Sequence, residues 1–147
     1  MKKAFTMIEL VFVIVVIGIL SSIAIPRFAA TRDDAEIAKA IATIGAVKSS
    51  VATERQKRAI RGDYTVINAL NVGGGVFNRF SADKDGVSDK VLETPVQGCA
   101  SNGCWSVAGA NYVYMMPTSG NPVPFTLNNG VFECVNQADA DCITLTQ

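Results

Sequence analysis

Residues Leu10 to Ile25 form an apolar run broken only by Gly18, Ser21 and Ser22, and any fold of this chain has to house it. The run follows Met1-Lys2-Lys3-Ala4 and Phe5-Thr6-Met7-Ile8-Glu9. From Phe5 to Pro26 is about 22 residues, close to the ~20 that span a ~30 Å hydrocarbon core at the helical rise. The segment is therefore predicted to cross a bilayer as a helix. A secretory signal also has a basic start and an apolar middle, and Ser21-Ser22-Ile23-Ala24 supplies small residues of the kind found at cleavage sites. Two features argue against it: Glu9 sits inside the apolar stretch, and the sequence beyond Pro26 continues in helical period. A carboxylate at membrane depth costs roughly 2.5–3.5 kcal/mol on insertion scales and marks a functional site. Lys2 and Lys3 are the only cations within helical reach on the interior side. The natural partner is thus an amine in the same layer, which cleavage between Ala4 and Phe5 would create on this chain or on a neighbouring copy.

The segment Lys2-Lys3-Ala4 / Phe5-Thr6-Met7-Ile8-Glu9-Leu10, with Pro26 further along, resembles the type III signal of type IV pilins and type II secretion pseudopilins. The resemblance covers roughly the first 35 residues. It joins a very short basic leader, Phe after the cut and Glu four residues later. The family usually places Gly before the cut, where this chain has Ala4. The resemblance implies removal of residues 1–4 as a cytoplasmic leader by a prepilin peptidase, N-methylation of Phe5, and polymerisation through the N-terminal helix. It also implies that Glu9 pairs with the amino terminus of an adjacent subunit. The implied partners are identical or related pilin subunits, the peptidase, an inner-membrane assembly platform and membrane lipid. The implied location is the inner membrane, single-pass with a periplasmic head, and then a periplasmic pseudopilus or a surface pilus.

Beyond Pro26, Ile37, Ile41, Ile44, Val47 and Val51 recur at spacings of three and four, with Ala30, Ala38 and Ala42 nearby. This amphipathic stripe extends the helix to about Arg61, where Gly62 stops it. Asp33, Asp34 and Glu36 lie on its early turns. Arg55, Lys57, Arg58 and Arg61 load its end, where cations oppose the negative end of the macrodipole. Pro26 leaves the Ser22 carbonyl without its helical donor, so a kink or local melting is expected between Gly18 and Pro26. Gly18 and Ser22 form a small-residue pair at i, i+4 that lets another helix approach. In related filaments the matching segment loses helicity on assembly, and the resemblance extends that expectation, and an assembly role for Gly18 and Pro26, to this chain.

Past Gly62 turn residues multiply: Gly73-Gly74-Gly75, Asp83-Lys84-Asp85-Gly86, Gly109-Ala110 and Asn128-Asn129-Gly130. Strands are predicted at Trp105–Val107, Tyr112–Met115, Pro124–Leu127 and Val131–Cys134, with Asn129-Gly130 a hairpin turn. Residues 63–100 are expected to be a connecting loop with little regular structure. The predicted class is α+β and pilin-like: a long N-terminal helix over 5–61, membrane-spanning to about 26, whose amphipathic half packs on a small antiparallel sheet within an exported head, 62–147.

Cys99, Cys104, Cys134 and Cys142 all fall in the head, which allows three pairings. Lys2 and Lys3 keep their flank cytoplasmic, although Arg27 and Arg32 oppose that rule, so the export of the head to an oxidising compartment rests partly on the resemblance. The expected pairing is local, Cys99 with Cys104 and Cys134 with Cys142, each closure contributing ~2–3 kcal/mol. Zinc is the alternative, but these spacings are not those of a finger or ribbon. Asp83, Asp85 and Asp89 bring three carboxylates to one turn and raise a calcium site as an alternative to a solvated turn, without the later Glu of an EF-hand.

The chain has 147 residues, 13 Lys+Arg against 13 Asp+Glu, and no His. Zero formal charge gives no field for nucleic acid, and the absence of imidazole removes the commonest general base. The cluster Arg55-Gln56-Lys57-Arg58 lacks the interleaved aromatics of a nucleic-acid site, so no nucleic-acid partner is expected. The head shows no phosphate loop, nucleophile elbow or catalytic grouping. With these classes set aside, the resemblance implies a non-enzymatic filament subunit, of a pilus or of a secretion or DNA-uptake pseudopilus. A signal-anchored periplasmic binding module or enzyme is the alternative.

Overall fold

A computed structural model describes residues 5–147. The chain divides into a first unit ending at Ala35 and a second, Glu36–Gln147. Helix α1, Met7–Ile60, runs through both. In the first unit every large apolar side chain from Met7 to Ile25 is exposed, in a stretch long and apolar enough to cross a membrane. The expected local melting is not present in the single chain: α1 remains helical through Gly18 and Pro26. A proline removes only one donor from the ladder, and the turn before it is tightened locally, the Ser22 hydroxyl donating to the Ile19 carbonyl at 2.7 Å.

In the second unit α1 lies against the inner face of a four-stranded antiparallel meander. The strands are β1 (Trp105–Ala108), β2 (Asn111–Met115), β3 (Pro122–Asn128) and β4 (Val131–Cys134), in the order β1-β2-β3-β4. The predicted hairpin closes as read. Asn129 and Gly130 both take positive φ, 48° and 72°, which a two-residue turn with the twist of its strands requires. Period-two burial on β2 and β3 turns Tyr112, Tyr114, Val123 and Phe125 inward. They meet Ile44, Val47 and Val51 of the stripe, with Ile37 and Ile41 partly buried beside them. Ala40 completes the buried face, whereas Ala38 and Ala42 are exposed. A short helix α2 (Ala140–Thr146), unpredicted, follows β4; Asp139 caps it by accepting from the amides of Asp141 and Cys142.

Residues 61–104 contain no helix or strand, only isolated bridges such as Arg79 with Lys90. They still fill the core. Ile67, Leu70, Val76, Phe77, Phe80 and Val91 are all buried. Phe77 meets Trp105 edge-on at 5.1 Å and stacks on Tyr112 at 5.2 Å, an aromatic cluster that a reading based on periodicity does not find in an aperiodic segment. The Tyr112 hydroxyl accepts from the Leu70 amide at 2.7 Å, and the Tyr114 hydroxyl donates to the Glu36 carbonyl at 3.0 Å. Burial, then the Glu36 carboxylate, pushes the Tyr114 phenol up to about 12.

The end of α1 corrects the picture of a solvated basic cluster. The stripe 44, 47, 51 continues to Glu54 and Arg58, and both are buried. Arg58 Nε donates to Glu54 at 2.8 Å, and its remaining amino groups reach the Ser81 carbonyl at 2.6 Å and the Thr65 hydroxyl at 3.4 Å. Arg61 pairs with Asp83 at 2.8 Å, and Lys57 pairs with Asp89. Gly62, at φ 66°, ends the helix: its amide bonds the Ala59 carbonyl, and the Asp63 amide bonds the Arg58 carbonyl. Asp63 in turn accepts from the amide and hydroxyl of Thr65 and the amide of Lys84. Among the described residues no buried side-chain N or O lacks a partner.

Removing one member of a buried ion pair strands the other. Arg58→Ala is expected to lower head stability by about 3–5 kcal/mol, while Glu54→Leu/Arg58→Met loses much less, as read by thermal unfolding of the full chain in micelles. The Thr65 amide, foremost, holds the Asp63 carboxyl down to about 2 from the ordinary 3.8. The ionised form is thus the one the fold favours, so its stabilisation is complete above pH 3.8 and disappears as pH falls towards 2. Asp63→Asn should flatten the melting profile across that window.

Candidate functional site

The N-terminal turn of α1 carries the residue singled out for chemistry. Thr6 precedes the helix and Glu9 is its third residue, so Thr6-Met7-Ile8-Glu9 is a capping box. One Glu9 oxygen accepts from the Thr6 amide at 2.9 Å and the Thr6 hydroxyl at 2.8 Å. The Glu9 amide donates back to the hydroxyl at 3.3 Å. The carboxylate therefore has two neutral donors within its own chain, before any cation reaches it. The signal for Thr6 was present in the sequence as Thr-x-x-Glu ahead of an apolar run. Phe5 lies just outside the helix and is almost wholly exposed. Ala4 and the rest of the segment 1–4 lie outside the described residues.

Gly18 has open space around it: a Cβ built there meets nothing within 4 Å. A second helix can approach that position closely. Among the described residues the stretch Met7–Ile25 has none of its apolar surface buried, so it is stable only in lipid or against other apolar helices.

The sites considered in the head resolve into structural roles. Cys99 joins Cys104 and Cys134 joins Cys142, with Cα atoms 5.5 and 6.3 Å apart. Asp83, Asp85 and Asp89 do not converge. Asp83 gives one oxygen to the amides of Asp85 and Val87 and the other to Arg61, which together hold its carboxyl below the ordinary range, the Val87 amide foremost. Asp89 faces Lys57. Among the described residues no group of three His, Cys, Asp or Glu is placed to hold a metal.

Residues 1–25 match the prokaryotic N-terminal methylation motif. The type IV narrow pilus major component PilA5 of Thermus thermophilus is 54% identical over 50 residues, 34% of this chain and 43% of that protein. A fimbrial protein of Moraxella nonliquefaciens is 40% identical over 37% of this chain and 36% of its own length. The type IV major fimbrial protein FimA of Dichelobacter nodosus is 26% identical over 76% of this chain and 73% of that protein. The chain thus carries the methylation motif at its N-terminus and is similar to type IV pilins. Its match to the first two relatives spans less than half of their length, so the head is compared mainly through the third. No solved structure matches it significantly.

The capping box has a measurable consequence. Thr6→Val removes the hydroxyl and costs about 1 kcal/mol at the helix start. Hydrogen exchange at the amides of Met7 to Leu10 in micelles should then quicken about fivefold, with Thr6→Ser close to wild type.

Proposed function

We propose that the chain is a non-enzymatic structural subunit of a type IV pilus filament. The observation that carries this reading is the methylation motif over residues 1–25, which overlaps an apolar helical stretch left unburied among the described residues. In this reading residues 1–4 are the leader, 5–61 the assembly helix and 62–147 the exported head. A prepilin peptidase cuts after Ala4, Phe5 is methylated, and the subunit waits in the inner membrane with its head in the periplasm. Copies leave lipid by packing Phe5–Ile25 against the same segment of other pilin subunits. Glu9 then meets the new amine of an adjacent subunit, exchanging the neutral Thr6 donors for a charged one. Gly18 allows close approach, and the stretch to Pro26, helical in the single chain, is the place where it loosens on assembly. The names of the relatives, a pilus component and two fimbrial proteins, favour a pilus over a secretion pseudopilus.

Mass spectrometry of the mature N-terminus tests the reading. Methylated Phe5 is expected, and an intact Met1 or a cut near Ala24 overturns it in favour of an anchored periplasmic module. Glu9→Gln keeps the capping acceptor but not the charge. It should leave membrane levels unchanged and cut surface filaments by about tenfold or more.

A further inference from the structure

The last turn of α1, the segment after it and the β3–β4 turn enclose a cleft of about 480 Å³. Its walls include Arg55, Tyr64, Val66, Asn129 and Gly130, with Arg58 at its buried side. The other three cations of this helix end are spent inside the fold, on Glu54, Asp89 and Asp83. Arg55 is not. Its stem lies against Gly130, where a Cβ would come within 3.2 Å of Arg55 Cδ, and its single bond is a long one, 3.5 Å, to the Gly130 carbonyl. Among the described residues it has no carboxylate partner. Tyr64 stands beside it 85% exposed and Val66 58% exposed, apolar surface that the head itself leaves uncovered. An anchored guanidinium with open donors next to an exposed aromatic ring has the makeup of an interface centre.

The same head carries the complementary charge elsewhere. In the loop closed by Cys134 and Cys142, Asp139 spends one oxygen on the amides of Asp141 and Cys142. Asp141 likewise spends one oxygen on the Ser119 hydroxyl and the Asn121 amide. Among the described residues, each keeps its second oxygen free and neither has a cation. Glu133, by contrast, has both oxygens occupied by Asn128 and Gln137. A helical polymer needs two different, complementary patches on one chain, and these two qualify.

We propose that the Arg55–Tyr64 cleft receives the acidic loop of a second copy of this chain, with Asp141 as the carboxylate that Arg55 binds. The inference rests on the filament reading above. It assigns a contact between heads, separate from the one Glu9 makes in the helix bundle. Asp139 is held as the cap of α2 and adds field, while Tyr64 covers the pair and excludes water, which strengthens it. The pair is partly screened at the rim, so filaments lean on it most at low salt.

Full-length variants expressed in the native host, with filaments sheared and pelleted at roughly 50 and roughly 500 mM NaCl, provide the test. Arg55→Glu and Asp141→Lys are each expected to cut the pelleted filament about tenfold at the lower salt. The double swap Arg55→Glu/Asp141→Lys should return it to within about twofold of wild type. Tyr64→Ala alters a ring that the head does not bury and should reproduce the single-swap loss, which covers the case of a misfolded Arg55 variant. Wild-type yield from both Arg55→Glu and Tyr64→Ala overturns the cleft as an interface. Single-swap losses that the double fails to restore overturn Asp141 as its occupant and point to another partner. Both results leave the filament reading standing, provided the Glu9→Gln defect persists. A wild-type chain that never polymerises removes both.

Discussion

A guanidinium that almost no water reaches organises the head of this protein. Arg58 can be buried only because every group around it answers to it: the Glu54 carboxylate, the Ser81 carbonyl and the Thr65 hydroxyl. Those three groups come from the helix, the irregular segment and the loop just past the helix stop. Satisfying one charge therefore fixes the path of a stretch that has no ladder of its own to hold it. The pairs of Arg61 with Asp83 and Lys57 with Asp89 extend the same fixation along the acidic turn. Hydrophobic burial of Phe77, Phe80 and Leu70 supplies the larger driving force, but it is non-directional. The ion network selects which way the chain crosses the helix end.

This arrangement accounts for two sequence features at once. Read separately, the cations at 55–61 raise the question of a polyanion, which the lack of interleaved aromatics answers in the negative, and the carboxylates at 83–89 raise that of a cation. The fold sets Arg61 against Asp83 and Lys57 against Asp89, so these members of the two sets neutralise each other within the head. The charge asymmetry between the two halves of the chain, basic before Gly62 and acidic after it, is in part complementarity within one subunit, since Lys57 and Arg61 meet Asp89 and Asp83. Arg55 is left over because it lies off the stripe 44, 47, 51, 54, 58 and faces the hairpin turn.

The elements legible in the sequence were those with a period or a turn signature. The helix, its stop at Gly62, and the Asn129-Gly130 hairpin follow from spacing and from residues that alone tolerate positive φ. The core contribution of residues 61–104 was not legible, because each buried side chain there is placed by a turn of its own and no repeat marks it. Charged members of the buried stripe escaped for a different reason. Hydrophobic patterning counts Glu54 and Arg58 as breaks in the face, although the same spacing of three and four runs straight through them. Helix α2 was hidden by its length, its cap at Asp139 being its chief mark. At the N-terminus, Glu9 stood out as an acid in an apolar run while Thr6, three residues before it, passed as ordinary.

The Thr6 contact changes the energetics assigned to Glu9. An acid in lipid with no partner at all would incur both an unsatisfied acceptor and an uncompensated charge. The capping box removes the first of these within the single chain, since an amide and a hydroxyl already occupy the carboxylate. It leaves the second untouched, because neutral donors do not cancel charge. A subunit of this kind can therefore be held in a membrane as a monomer without being at rest there. The remaining electrostatic cost is the part that only a cation in the same layer can relieve, and under the proposed function that cation is the N-terminus of a neighbouring copy. Storage and assembly thus draw on different properties of one side chain, its hydrogen-bonding capacity and its charge. A substitution that keeps the first and deletes the second separates the two states.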